Sequence, residues 1–254
     1  QTSIDDRLFF NLGGRWEDTS QFGVHTTYQA GLAYFLPVLD TKLKANYGTA
    51  FLAPSLYQLY DGNFGNLSLQ PETSLGYDIG FEQPVGGKNF INFGASYFDN
   101  DFTNLIQYSN ALNENTNIGQ ARTYGVESFV DFKGIQNLSI KGSYTYTYAW
   151  DLTDDIPLLR RPQNKASGDV DYKWGDAGLG VSVIYTGNAF DEDFGGNTVT
   201  LPEYFLVNLR ASYQVNSQIK LFARVDNLFN QWYEDAYGYS TPGLSVYGGT
   251  KVSF

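Results

Sequence analysis

The stretch from Ile219 to Phe254 decides the fold: IKLFARVDNLFNQWYEDAYGYSTPGLSVYGGTKVSF. Its first part, IKLFARVD, has an apolar residue at every second position, and so does most of its last part, LSVYGGTKVSF. Alternation with a period of two predicts β-strands with one apolar and one polar face. The aromatic segment between the two parts predicts a long loop. In a soluble sandwich the apolar faces meet in a core, whereas in a membrane barrel they face lipid.

The rest of the chain repeats this pattern, with about twelve strand-like stretches. The breaks PVLD, PVGGK, KGIQN, GDAG and VNSQ are short, and those between them, such as SNALNENTNIGQ, are mostly long. In an antiparallel meander every second connection lies at the same end, so tight turns gather at one end and long loops at the other. We predict an all-β fold: a transmembrane, antiparallel, up-and-down β-barrel of about 12 strands, as one domain over residues 1–254.

Charged residues on the polar sides of the strands favour the barrel over the sandwich, because a barrel has a wet lumen. Tyr and Trp near strand ends are typical of interfacial girdles, although both residues also favour strands in general. We expect short periplasmic turns, long extracellular loops, both termini in the periplasm and a location in the bacterial outer membrane. The residues predicted to line the lumen are Lys141, Asp169, Asp171, Arg210, Lys220 and Arg224.

Composition narrows the function. No apolar run is long enough for a transmembrane helix. The chain has no Cys and a single His, His25, which leaves little room for thiol, zinc or triad chemistry, and we expect no enzyme. The net charge of −11 argues against a nucleic-acid partner. Because the chain starts at Gln1 without Met or a signal peptide, we expect it to be processed, excised or engineered.

Several motifs resemble the C-terminal part of TonB-dependent outer-membrane receptors. They are YGTAFLAPSLYQLY followed by NLSLQPETS, then ARTYGVE, RVDNLFNQWYEDAYGY and the ending YGGTKVSF. Within that family, TDDIPLLRRPQ and YEDAYGYSTPG are most similar to cobalamin (vitamin B12) receptors. The resemblance implies outer-membrane lipid and lipopolysaccharide as surroundings. It also implies recognition of the chain ending by the β-barrel assembly machinery, through Tyr247, Gly249, Val252 and Phe254.

The chain also departs from the family pattern, because such receptors combine a plug domain with a 22-stranded barrel. No plug and no TonB-contacting segment is recognisable here, so TonB is expected as a partner only if another segment supplies the plug. Three explanations stay open: a separate chain completes the barrel, the chain is a piece of a larger receptor, or its strands close as a smaller barrel.

The candidate ligand contacts lie in the predicted extracellular loops. Arg160 and Arg161 are candidates for binding an anionic or amide-rich ligand or lipopolysaccharide phosphates, or for a structural salt bridge with a nearby Asp. Arg161 and Tyr239 are the foremost candidates by resemblance. Two acidic groups, Asp151 with Asp154 and Asp155, and Asp191 with Glu192 and Asp193, are candidates for calcium or plain solvated loops. An aromatic rim suited to a large amphipathic ligand comprises Tyr57, Tyr60, Phe64, Trp232, Tyr237 and Tyr239.

Two functions from different classes follow. The first is a transport protein resembling the barrel of a cobalamin receptor, or a fragment of a ferric-siderophore receptor, that binds its ligand through extracellular loops. The second is a passive pore made by an unplugged 12-stranded barrel. A weaker third is an adhesin or phage-docking surface formed by the long loops.

Overall fold

A computed structural model describes residues 2–4, 7–87 and 90–253, and strands make up most of it. Within these residues no helix is long and apolar enough to cross a membrane. The described residues form one short helix, α1 (Leu56–Tyr60). The strands are β1 (Thr2–Ile4), β2 (Leu8–Thr19), β3 (Gly23–Phe35), β4 (Lys42–Leu52), β5 (Glu72–Val85), β6 (Ile91–Ser109), β7 (Glu114–Phe132), β8 (Leu138–Asp151), β9 (Ile156–Pro157), β10 (Asn164–Trp174), β11 (Ala177–Thr186), β12 (Ala189–Glu192), β13 (Thr198–Leu201), β14 (Tyr204–Gln214), β15 (Ile219–Asp226) and β16 (Ser245–Val252).

In the main sheet the strands lie in sequence order, so each strand pairs with the next strand of that sheet along the chain. Its order is β1-β2-β3-β4-β5-β6-β7-β8-β10-β11-β14-β15-β16, β9 is attached to β8, and β12 and β13 form a separate hairpin. All pairs are antiparallel, as expected for strands joined by hairpin connections. The predicted all-β antiparallel meander is therefore confirmed, with 13 strands along its path. Over residues 2–4, 7–87 and 90–253 no pairing joins β16 back to β1, so the sheet is open and shows no closed barrel.

The strand register gathers residues of one kind on each face. On the apolar face Val181 lies opposite Leu209, which lies opposite Val225. On the polar face Lys141 lies opposite Asp169. Many residues of the apolar face are exposed in this chain, which is what a face meeting lipid requires.

Buried apolar side chains lie mostly at one end of the sheet, beneath the loops. Ile118, Ala121, Ala149 and Leu158 form one buried cluster, and Phe102 and Leu105 pack against it. Leu69 and Leu201 are buried in neighbouring loops. The packed core therefore sits under the loops rather than within the sheet. The end that carries it is termed the long-loop end, and the opposite end the tight-turn end.

One predicted loop is a strand pair instead. The segment SNALNENTNIGQ, residues 109–120, is predicted to be a loop, but β7 already starts at Glu114, so only residues 110–113 connect it to β6, which ends at Ser109. Asn104 has a φ of 59°, and Asn104 and Gly119 are both passed over in the pairing, although the register is the same on either side of them. The Asn117 side chain donates to Asn104 O at 2.6 Å and to Gln70 O at 3.0 Å. Asn117 thus ties β7 both to β6 and to loop 53–71, which stabilises a polar extension that looks unstructured in sequence.

Candidate functional site

The long-loop end carries four long connections, residues 53–71, 152–163, 187–203 and 227–244. They meet at one end because antiparallel strands bring every second connection there. The two other connections at this end, residues 20–22 and 110–113, are tight. The predicted alternation of short and long connections therefore holds in four of six places, and the assignment of this end to the extracellular side stays a prediction.

Loop 187–203 is built around the β12–β13 hairpin, whose Asp191 is completely buried. The Asp191 carboxylate accepts hydrogen bonds from Arg160 Nε at 2.9 Å and from the Tyr237 amide at 2.8 Å. The Arg160 amide donates to Phe190 O in the same hairpin at 2.7 Å. Asp191 thus joins three of the four long loops at one point.

An aromatic cluster, formed by Phe194, Tyr237 and Tyr239, lies beside this junction. The Phe194 ring meets Tyr237 and Tyr239 edge-on, with centroid distances of 6.0 and 6.4 Å. Gly238 between the tyrosines has a φ of 77°, and a Cβ there would lie 2.7 Å from Phe194. A glycine is therefore required for the cluster to form. Tyr239 is 66% exposed, so its ring is available to a ligand.

Loop 227–244 is organised by Asn227, which is buried and has a φ of 52°. Its side-chain oxygen accepts from the Gln231 amide at 2.8 Å, and its side-chain nitrogen donates to Gln231 O at 2.8 Å and Pro242 O at 3.4 Å. Asn tolerates the left-handed backbone better than most residues. A single side chain therefore closes both ends of the loop.

Loop 53–71 is fixed against the extended β6–β7 pair. Ser55 and Gln58 form a capping box at the start of α1. Asn115 donates to Phe64 O through its amide and its side chain, and Asn66 donates to Asn115 O at 2.8 Å. The side chains of Tyr57 and Tyr60 stay exposed on the surface of this loop.

The predicted ligand contacts separate into groups. Arg160 forms a salt bridge, but its partner is the distant Asp191 rather than a nearby Asp. Arg161 is exposed and donates to the carbonyls of Leu159 and Arg160 in its own loop. Tyr237 and Tyr239 join the aromatic cluster, and Trp232 is exposed in the same loop. Over the described parts of the chain, no aromatic contact connects Tyr57 or Tyr60 with that group.

The acidic groups weighed as calcium sites are engaged in loop structure. Asp151 caps the following turn by accepting from the amides of Thr153 and Asp154. Asp193 accepts from Gly195 N at 2.9 Å and from both nitrogens of Asn197, and the Asn197 side chain is the main reason that the pKa of Asp193 is lowered. In residues 2–4, 7–87 and 90–253, no three His, Cys, Asp or Glu side chains are grouped to hold a metal ion.

The long loops carry most of the net negative charge of the chain. Within residues 53–71, 152–163, 187–203 and 227–244 there are nine carboxylates and two arginines, a formal charge of −7 out of −11 for the whole chain. Since clustered charge of one sign creates a field over the surface, these loops carry a negative potential.

The residues predicted to line the lumen do share the polar face. Arg210 binds Asp169 at 3.1 Å and Asp171 at 3.0 Å, and also donates to Ser182 Oγ at 2.6 Å. Arg224 pairs with Asp226 at 3.1 Å and stacks on Tyr247. Lys141 lies opposite Asp169, and Lys220 lies nearer the tight-turn end. Their exposure to a lumen stays a prediction.

Three residues of the predicted assembly signal, Tyr247, Gly249 and Val252, contact the neighbouring strand β15. Tyr247 supports Arg224, and Gly249 lies under the Phe222 ring. Val252 lies opposite Ile219 on the apolar face. Phe254 lies outside the described residues, and recognition by the assembly machinery remains a prediction.

Sequence reasoning missed the roles of Asp191, Phe194 and Asn227. Asp191 was read only as one acidic residue among three. Asn227 falls in the quoted NLFN motif, and an Asn at the end of a strand before a long loop is a recognisable signal for a left-handed turn. His25 stacks on Phe51 with ring centroids 3.7 Å apart, which gives it a packing role.

An antiparallel meander with one apolar face, one polar face and a cluster of long loops is the wall of a β-barrel. Comparison with known families agrees, because residues 1–228 match the family model described as TonB dependent receptor-like, beta-barrel. The chain belongs to this family, whose homologues are outer-membrane proteins.

Solved structures share the fold. The chain matches the ferric enterobactin receptor PfeA of Pseudomonas aeruginosa over 99% of its own length and 44% of that chain, with a TM-score of 0.82 and 22% identity. It also matches the siderophore receptor PirA of Acinetobacter baumannii, over 99% of its own length and 44% of that chain, with a TM-score of 0.82 and 20% identity. The match to the copper transporter OprC covers 91% of this chain and 40% of that chain, with a TM-score of 0.77 and 21% identity. The chain therefore spans less than half the length of these structures, and at these identities the likeness shows the fold alone.

Proposed function

We propose that the chain forms part of the barrel wall of an outer-membrane transport protein and that its long loops bind a metal chelate. Cobalamin is the first candidate, and a ferric siderophore of low negative charge is the alternative. The observation that carries the proposal is the junction at Asp191, where three long loops are held together beside exposed aromatic rings.

The shape of the long-loop end supports a large ligand. Tyr239, Trp232 and Phe194 are all exposed, and they belong to loops whose backbones are fixed by Asn227 and Asp191. Rigid aromatic rings provide apolar area at a low entropic cost, which suits a flat, amphipathic ligand. Binding needs no covalent chemistry here, since selectivity comes from loop contacts.

Charge distinguishes among metal chelates. A formal charge of −7 on the four long loops disfavours a strongly anionic ferric catecholate. Cobalamin, a flat chelate decorated with amides, carries no large negative charge and agrees better with these loops. Arg161, exposed at the edge of loop 152–163, is available to a phosphate or an amide oxygen of such a ligand.

Transport by the whole protein would need more than this chain. We propose that the remainder of the barrel and a plug come from other segments, and that TonB acts on that plug. A passive pore is not pursued, because it requires these strands to close on themselves, whereas the described sheet is open.

Outer-membrane vesicles containing the complete receptor allow the test, with labelled cyanocobalamin, a neutral ferric hydroxamate and an anionic ferric catecholate as probes. We expect one of the first two to bind and Tyr239→Ala to weaken that binding at least tenfold, as for other aromatic binding hot spots. Tyr172→Ala, on the apolar face of β10, is the matched control and should leave binding unchanged. Binding of the catecholate alone, or unaltered binding by Tyr239→Ala, would contradict the proposal.

A further inference from the structure

We infer that the peptide bond between Arg160 and Arg161 is a proteolytic processing site, and that the junction at Asp191 keeps it closed. This goes beyond the proposed function, because it concerns cutting of a loop rather than binding of a chelate. The partner that it implies is a protease whose acidic specificity pocket accepts arginine. Hydrolysis adds one water molecule: the bond from the Arg160 carbonyl carbon to the Arg161 nitrogen breaks, leaving a carboxylate on Arg160 and an amino group on Arg161.

The sequence singles out this bond within the long loops. Arg160 and Arg161 are the only Lys or Arg residues in loops 53–71, 152–163, 187–203 and 227–244. Both side chains are exposed, and exposed loops are where proteolysis concentrates. The following bond, from Arg161 to Pro162, is a poor substrate, since proline has no N–H and its ring restricts the residue before it. A protease specific for arginine therefore has one suitable bond in these loops.

The backbone at this bond has the wrong shape for cleavage in the closed loop. A protease cleft binds its substrate in an extended, strand-like conformation, in which φ is negative. Arg160 has a φ of 57°, in the left-handed region that residues with a side chain rarely adopt. The Arg160 backbone must therefore rotate before the bond can enter the cleft.

Two contacts of Arg160 oppose that rotation. The Arg160 amide donates to Phe190 O at 2.7 Å, and Arg160 Nε donates to Asp191 Oδ1 at 2.9 Å. Both acceptors belong to the β12–β13 hairpin, and the Asp191 side chain is completely buried. Rotation of the Arg160 backbone therefore requires loop 152–163 to separate from this hairpin, so the Asp191 junction acts as the lock on the bond.

The span that carries the bond is also short. On one side the buried Leu158 donates through its amide to Ala149 O at 3.1 Å, and on the other Gln163 O accepts from the Thr147 amide at 2.8 Å. Only residues 159–162 lie between these two anchors. So short a span cannot fill a protease cleft while both anchors hold. Cleavage therefore reports opening of the loop, and the exposure of the two side chains alone does not permit it.

The test treats outer-membrane vesicles that contain the complete receptor with trypsin for set times. New amino groups are labelled by reductive methylation before a second digestion with chymotrypsin, so that mass spectrometry follows the peptide whose labelled end is Arg161. A synthetic peptide of residues 152–163 gives the cleavage rate of the open chain. We expect the wild-type loop to be cut at least about 150-fold more slowly than this peptide, because proteolysis follows the population of the open form.

Three variants separate the lock from the bond itself. Asp191→Asn should raise the cleavage rate about 150-fold, because it removes one partner of the buried ion pair. Asp193→Asn is the matched control in the same hairpin and should leave the rate unchanged, since Asp193 bonds only within its own tip. Arg160→Gln also breaks the ion pair but removes the arginine that the protease pocket recognises, so the labelled Arg161 end should disappear.

Equal cleavage rates in wild type and Asp191→Asn would overturn the role of the junction, and so would a wild-type loop that is cut as fast as the free peptide. Failure of trypsin to cut at Arg160 in both proteins, while it cuts the peptide, would overturn the site. If Asp191→Asn does not reach the outer membrane, the comparison between the wild-type loop and the peptide still decides the matter.

Discussion

The Asp191 junction predicts a specific result for the substitution Asp191→Asn. The variant keeps the shape of the side chain but removes the charge that pairs with Arg160. An Asn has one acceptor oxygen, whereas Asp191 accepts from Arg160 Nε and from the amides of Glu192 and Tyr237. At least one buried donor loses its partner. The three loops should then separate more readily while the sheet below stays intact.

The magnitude follows from the burial of the two partners. Removing one partner of a fully buried ion pair costs about 3–5 kcal/mol. Because the Arg160 side chain is 47% exposed and regains water when released, the lower limit applies. A loss of about 3 kcal/mol raises the frequency of loop opening by about 150-fold. The global unfolding transition should change little, since the junction lies outside the strand ladder.

Hydrogen exchange at the Tyr237 amide measures this opening directly, because that amide is bonded to Asp191. Asp193→Asn is the matched control in the same hairpin, since Asp193 bonds only within its own tip. We expect faster exchange at Tyr237 in Asp191→Asn and unchanged exchange in Asp193→Asn. Equal protection in wild type and Asp191→Asn would refute the idea that this carboxylate joins the loops.

Three further results are expected. Gly249→Val should destabilise the fold by about 1–3 kcal/mol in urea unfolding in micelles, because the new side chain meets the Phe222 ring. Gly168→Val should change the stability far less, because a Cβ added there meets open space. Because the pKa of Asp193 is lowered, its hydrogen bonds stabilise the hairpin tip above about pH 4, and this stabilisation is lost as the pH falls through the lowered pKa. The chemical shift of the Asn197 amide should report the change, and a flat pH profile of that shift would contradict the prediction. Asn227→Ala should disorder loop 227–244 at a local cost of about 2–3 kcal/mol, seen as faster exchange at Gln231, and unchanged exchange there would speak against its role.

Strands were predictable from the sequence wherever apolar and polar side chains alternate regularly, so that one face of the strand is uniformly apolar. The β15 strand runs from Ile219 to Asp226 as the alternation of IKLFARVD indicates. The early start of β7 was not predictable, because its polar residues Asn115 and Asn117 are satisfied by loop 53–71, about 50 residues away in sequence. The β12–β13 hairpin was read as part of a loop for a related reason, since its strands have four residues each and pack under other loops.

The candidate site was predictable as a region rather than as a set of contacts. Composition located aromatic and acidic residues in the long loops, and Arg160 with a nearby Asp was among the alternatives. Its actual partner, Asp191, lies 31 residues away along the chain, so only the packing of loops on one another could identify it. Local pattern rules report periodicity and turns, and they carry no information on which of several acidic residues becomes buried.

The net charge of this chain is concentrated at its long-loop end, and that concentration constrains the proposed ligand. The long loops account for −7 of the −11. A strongly anionic chelate is therefore repelled at this end, whereas a chelate of low charge is not. The carboxylate of Asp191 is completely buried, so its role is to hold the loops together rather than to contact a ligand. Recognition then depends on the exposed aromatic rings that these joined loops carry.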